Sequence, residues 1–362
     1  MERRGTIRTA AATAAAFFGT AAAGLTYPIA PRTLWDLAAE AERVVLARVA
    51  EVSHRSGEDD FASSVARLHV LETWKGAATP SVAVAFMEGF VCPAPDRYVE
   101  GETVLAFLES GETRARAISD DGQRRTLAGR WSGQWFTVGL SYGTLYPDPE
   151  AVPTLRQLVA EALQLQSHRS VRDRDRRQWL VRAAAEPATR WHGLYGLSRD
   201  TDSMHSFYDR RPPPPDLAAS LTLEERSTLA SAFCKAPLLD HTVPMMLKIL
   251  ADHPDREVDL VAVAAVESAL EEKTLPFWVQ EAMPLVLGRF GEVAKGKRRE
   301  RGEKDGGDCD FTDDPLFRSM ESNDDEIRRA WGEARARLGL PFVARLPRPA
   351  RRVRGVGDDT PP

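Results

Sequence analysis

Five residues near the middle of the chain carry the one local pattern that spells out a reaction. Gly139-Leu140-Ser141-Tyr142-Gly143 is a G-x-S-x-G sequence. That spacing suits acyl transfer, in which a serine on a sharp strand-to-helix turn attacks a carbonyl while backbone amides receive the oxyanion. A strand-like run precedes Ser141. Behind it stands Thr144-Leu145-Tyr146-Pro147-Asp148-Pro149, where two prolines and no apolar period oppose the helix that the chemistry needs. A strand end or a glycine-lined turn is the first reading of this segment, and a serine hydrolase using Ser141 is the alternative.

The remaining chemical candidates are weaker still. The histidines at 54, 69, 168, 192, 205, 241 and 253 make no H-E-x-x-H and no i, i+4 pair, so they do not converge on zinc by spacing. His241 and His253 fall at opposite ends of one helical segment. Asp305 to Asp314 is rich in aspartate, but counting from Asp308 puts Asp313 where a calcium loop needs glycine and Ser319 where it needs glutamate. Neither of the glycine-rich phosphate-binding patterns occurs. Trp131, Trp135 and Phe136 could stack bases or sugars, but they have Arg130 as the one nearby cation and read as core. The sequence therefore assigns no catalytic, cofactor-binding or metal-ligating residue, and no cofactor.

Composition sets the frame that must hold these residues. The chain has 362 residues, 43% apolar and 28% charged, with a formal charge of −5. That is a globular composition with room for two cores. Its acidic balance argues against a dedicated nucleic-acid binder. Apart from the Ala-rich N-terminus, no apolar run approaches the roughly 20 residues of a membrane span.

Residues 1–23 read as a signal peptide. Arg3, Arg4 and Arg8 supply a basic start, Ala10 to Phe18 a short apolar stretch, and Ala21-Ala22-Ala23 the small residues of a cleavage site. The expectation is a secreted or periplasmic protein of bacterial type, by a Sec or a twin-arginine route. The competing reading is a cytosolic helical adaptor that keeps its N-terminus. The pairing of Cys92, Cys234 and Cys309 is open, since an odd number leaves one thiol over within a monomer.

Between 33 and 150 the pattern is that of a small β-barrel. A short amphipathic helix carries Leu34, Leu37, Ala38 and Ala41. Strand-like runs follow at 43–52, 65–74, 81–87, 103–108 and 130–140, separated by turn residues such as those at 56–60 and Asp120-Asp121-Gly122. In the second run Ala66, Leu68, Val70 and Trp74 alternate with Arg67, His69 and Thr73. Five short strands at this spacing predict an antiparallel OB-like barrel.

Three pieces of this region resemble the netrin-like, or TIMP-like, OB-fold domains. They are Leu34-x-x-Leu37 before Ala41 to Val49, then Leu68-x-Val70-x-x-x-Trp74-Lys75-Gly76, then Cys92-Pro93 with Tyr98 and Gly101 to Leu108. They stand in the family's order over roughly 33–140. The resemblance implies the barrel. It does not imply the family's inhibition of metalloproteinases, which uses an N-terminal cysteine that no residue before Cys92 supplies.

From 151 the period changes to that of helices. Segments at 152–163, 176–185, 223–233, 243–251, 257–270 and 276–290 predict an irregular helical domain over 151–295, with no clean repeat. Thr222 and Glu225 form a capping box. Pro212 to Pro215 reads as an extended connector. Residues 296–323 read as a charged linker, 324–340 as a further helix and 341–362 as a basic, proline-containing disordered tail. The fold class expected is α+β with two domains. The function expected is non-enzymatic binding of a protein or small ligand outside the cytoplasm, with neither a specific nucleic acid nor a membrane span.

Overall fold

The computed structural model describes residues 30–54, 62–87, 97–116, 121–168, 170–202, 205–206, 209, 211, 215–290, 324–340 and 346. The proposed signal peptide, Cys92, Cys309, the Asp305 to Asp314 stretch, most of the proline run and nearly all of the tail lie outside these residues. The described chain falls into two compact units. One holds the residues up to Arg172 together with His205, Ser206, Asp209 and Arg211, and the other holds the rest.

The first unit is a closed barrel. Helix α1 (Leu34–Glu40) leads into β1 (Arg43–His54), β2 (Ser64–Lys75), β3 (Ser81–Phe86) and β4 (Thr103–Ser110). Two helices follow, α2 (Gly111–Arg116) and α3 (Asp121–Arg130), then β5 (Trp135–Thr137), β6 (Thr144–Leu145) and α4 (Val152–Gln166). Around the barrel the order is β1-β2-β3-β5-β4, and β4 closes back onto β1 while β6 adds to β4. The barrel is mixed, which corrects the antiparallel expectation: β3 and β5 run parallel and meet at Val84 and Trp135. A closed ring with an odd number of strands cannot alternate direction all the way round, so one parallel contact is unavoidable.

Alternation along the strands fills the interior. Val45, Ala47 and Val49 from β1 meet Leu68, Val84, Ala106 and Leu108 in one buried cluster. Small and large side chains alternate there, as the taper of a narrow barrel requires. The fifth run is shorter than the sequence suggests. Residues 121–130 are helical and only 135–137 pair as a strand. Helix α3 escaped the pattern because Leu127 and Ala128 are nearly its whole apolar content, used against a second small cluster with Trp131, Phe136 and Ala115.

The Trp74-Lys75-Gly76 sequence has a structural job. Lys75 Nζ donates to the carbonyls of Ala38 and Ala39 at 2.8 and 3.3 Å, which places a cation at the C-terminus of α1. Gly76 has φ +86°, and a Cβ there would lie 2.9 Å from the Glu42 carbonyl oxygen. At the other end of α1, Thr33 and Asp36 form a capping box. Helix α4 packs with this unit: Gln166 Nε2 donates to Trp35 O at 2.8 Å, and Arg156 holds Glu72 through two bonds of 2.8 and 2.6 Å.

The second unit is helical, as expected, and its neighbours are regular although its helix lengths are not. Helices α5 (Asp173–Ala185), α7 (Leu223–Lys235) and α9 (Arg256–Ala269) form one layer. Helices α6 (Arg190–Leu197), α8 (Thr242–Ile249) and α10 (Trp278–Arg289) form the other, and α11 (Asp324–Leu338) packs on α10. Helix α6 was not legible because Gly193 and Gly196 look like breakers. They are contact residues: a Cβ on Gly193 would meet Ala184 N at 2.2 Å, and one on Gly196 would meet Leu180 Cδ2 at 2.4 Å.

Cations cap helix C-termini both between the two layers and within one. Arg190, 1% exposed, donates to Ala184, Ala185, Ala232 and Ala236 carbonyls at the ends of α5 and α7. Arg226 reaches Ile249 O at 2.6 Å, and Arg289 reaches Leu250, Ala251 and His253 carbonyls. The capping box of α7 is formed, with Glu225 N–H donating to Thr222 Oγ1 and Thr222 N–H donating to Glu225 Oε2.

Candidate functional site

The Gly139 to Gly143 segment is a turn built for packing. After β5 the chain takes two consecutive left-handed residues, Gly139 (φ 65°) and Leu140 (φ 54°), then one turn of 3₁₀ helix into β6. Ser141 lies in that 3₁₀ turn, and a strand rather than an α-helix follows it directly. Both glycines are dictated by close neighbours: a Cβ on Gly139 would lie 2.9 Å from Arg32 Cγ, and one on Gly143 would lie 2.2 Å from Val138 O. The Ser141 hydroxyl is buried and has no hydrogen-bond partner. A nucleophile needs a base within hydrogen-bond reach, and no such contact is made here.

The aromatic residues also resolve into structure. Trp131 and Phe136 are 2% and 1% exposed, with ring centroids 5.0 Å apart, and they belong to the small cluster under α2 and α3. Trp135 is half-buried against the barrel core, and the Arg43 guanidinium covers its ring at 4.4 Å. A flat stacking platform would leave these rings in solvent, and these are covered.

The barrel wall beside them carries a polar chain. Glu109 pairs with Arg114 at 3.1 Å, Arg114 donates onward to Thr137 O at 3.2 Å, and Tyr98 and Thr137 share a hydroxyl bond of 2.8 Å. Burial pushes the Glu109 carboxyl up, and the Arg114 charge only partly opposes it. Near it, burial also raises Glu42, but hydrogen bonds from Thr113 and Ser110 outweigh burial and hold that carboxyl below its ordinary range. These groups tie the end of β4 to β1, α2 and β5.

One face of the barrel is left open. Where α1 and α4 no longer cover the sheet, β1, β2 and β3 turn their alternate residues to solvent. The register sets Arg48 opposite His69 and His69 opposite Ser81. The next row sets Glu51 opposite Arg67 and Arg67 opposite Ala83. All six are exposed. Arg67 and Glu51 form a loose pair at 3.6 Å, with side chains 70% and 58% accessible. Leu71 follows in β2 at a register shift, between the Ala47–Val70 and Leu46–Glu72 pairs, and is 51% exposed, one of two large apolar side chains so placed among the described residues, with Leu223.

The strand alternation in the sequence puts Arg67 and His69 outward, and the structure agrees, while Leu71 shows its exposure only in the structure. Alternation does not reach it, because the register shift at Leu71 breaks the period of two, and beyond it Thr73 pairs with the core residue Val45. His241 and His253 lie beyond the two ends of α8, as their spacing indicated. Among the described residues no group of three His, Cys, Asp or Glu is close enough to hold a metal ion, and no helix is long and apolar enough to cross a membrane. Cys234 is a free, half-buried thiol that burial pushes up to about 11. Comparison with known protein families, with curated proteins and with solved structures returns no match for this chain.

Proposed function

We propose that this is an exported, non-enzymatic binding protein, on a barrel of netrin-like character, that engages a partner through the open face of β1, β2 and β3. The observation that carries this reading is Leu71, exposed among Arg48, Arg67 and His69 on a sheet whose other end is covered by helices. Fully burying a leucine is worth about 1.5–3 kcal/mol, so a partner that covered it would gain an apolar anchor. Arginine beside such an anchor suits a polar or acidic rim on that partner. Strands 2 and 3 are also where OB barrels generally receive ligands.

The test is a photo-crosslinking amino acid placed at Leu71, with one at Leu223 as control, in cells that make the protein. A discrete adduct at position 71 that is lost in the Arg48→Glu, Arg67→Glu double variant supports the reading. An adduct pattern identical at both positions, or none at 71, rejects it. Mass spectrometry of the mature chain tests export separately. A start at Gly24 outside the cytoplasm agrees with it. An intact Met1 in the cytosol favours the helical adaptor instead.

A further inference from the structure

Helix α11 ends the helical stack in an unusual way. Residues 290–323 separate it in sequence from α10, yet it returns to lie on that helix. Its buried face is small: Ile327, Trp331 and Ala334, spaced i, i+4 and i+7. The rest of its attachment is polar. Arg328 donates to Leu270 O at 3.0 Å and Glu272 O at 2.7 Å, at the C-terminus of α9. Leu275 N–H donates to Asp324 at 3.0 Å, and Arg335 pairs with Glu267 at 3.1 Å. Arg328 thus does for α9 what Arg190 does for α5 and α7, so α11 sits where the next helix of the stack would sit.

The fit is incomplete. Trp331 is 4% exposed, and its indole N–H is buried without an acceptor. A buried donor left unpaired costs free energy that a better-matched side chain would not. An amphipathic helix held by three apolar residues in a groove is also a general recognition mode between separate chains.

We propose that the surface formed by α10 and the end of α9 is a binding groove for an amphipathic helix, and that α11 is its tethered occupant. The helix it takes carries apolar residues at i, i+4 and i+7 and an arginine directly after the first of them, which can reach the α9 carbonyls. Because α11 belongs to the same chain its seating is intramolecular, so an incoming helix must outcompete it. This groove is independent of the open barrel face, and either can fail without the other.

The test uses the full chain and a fluorescent peptide of residues 324–340 as probe. In the Ile327→Asp, Trp331→Asp variant the chain's own α11 cannot seat itself, and the peptide should bind saturably by anisotropy. Wild type should bind it about tenfold or more weakly, because its groove is filled. A peptide with Arg328→Ala should bind the variant more weakly than the parent peptide. A milder Arg328→Ala, Arg335→Ala chain, which loses only the polar clamps, should fall between. The proposal is overturned if the folded variants do not bind the peptide, or if wild type binds it as tightly as they do. It is equally overturned if both variants unfold, since α11 would then be part of the core and not a separable occupant.

Discussion

Arg190 donates to the carbonyl of Ala236 at 2.8 Å, and so joins the first residue of α6 to the end of α7. The same guanidinium reaches the last carbonyls of α5. Burial lowers its pKa, while Asp240 and Glu186 pull the other way. Among the described residues no carboxylate bonds it directly, and the negative ends of two helices supply the compensation instead.

Replacing Arg190 with Met keeps the bulk and removes the donors. Four carbonyls at two helix ends then lose their partner. A charged hydrogen bond contributes about 1.5–3 kcal/mol, so the loss should be of the order of 3 kcal/mol in urea unfolding. A change below about 0.5 kcal/mol would mean that water reaches those carbonyls in the native state.

Two glycines in helices should respond in opposite ways. Gly193→Ala drives a methyl into the Ala184 backbone and should separate α5 from α6, with a large fall in melting temperature. Gly332→Ala, in α11, meets nothing within 4 Å. It should raise helix stability by up to about 1 kcal/mol. Equal effects at the two sites would show that the contact with α5 is not what fixes Gly193.

Ser141→Ala removes a buried hydroxyl that has no partner. An orphan of this kind costs about 1–3 kcal/mol, so the variant should be at least as stable as wild type. An active-site serine probe should label neither protein. Labelling of wild type that disappears in the variant would restore the hydrolase reading.

Two carboxylates predict opposite pH trends. Burial raises Glu225, but the Thr222 amide and the Arg177 guanidinium outweigh it, and the net pKa lies below the ordinary 4.5. Its contribution is present above 4.5 and fades as pH falls through the lowered value. Glu109 is raised, so its ionised form is disfavoured in the fold. That cost appears as pH rises from 4.5 through the raised value. The advantage of wild type over Glu225→Gln should therefore shrink in acid. The stability of Glu109→Gln relative to wild type should improve with rising pH. Chemical denaturation from mild acid to neutrality reads both, and parallel curves for the three proteins would contradict this.

Local signals carried much of the fold. The box at Thr222 and Glu225 is visible within four residues, because capping is a local interaction. The strands around Leu68 show by alternation, because one wall of the barrel is wet. What escaped depends on distant partners. Gly193 and Gly196 suit a helix only because α5 lies against them. Gly139 and Gly143 resemble a catalytic turn only until Arg32 and Val138 are seen beside them. The exposed Leu71 was not legible, since the register shift there breaks the period of two and only the covering by α1 and α4 shows which part of the sheet stays bare.

The single parallel contact in the barrel bears on how the chain folds. β1, β2 and β3 pair with sequence neighbours and can zip from their turns. Val84 and Trp135 must find one another across β4, α2 and α3, and this pairing has the shortest register in the ring. Closing a long loop for so few bonds is entropically late. The β3–β5 seam should therefore be the last stitch in folding and the first to open, so amide protons along it should exchange with solvent sooner than those shared by β1 and β2.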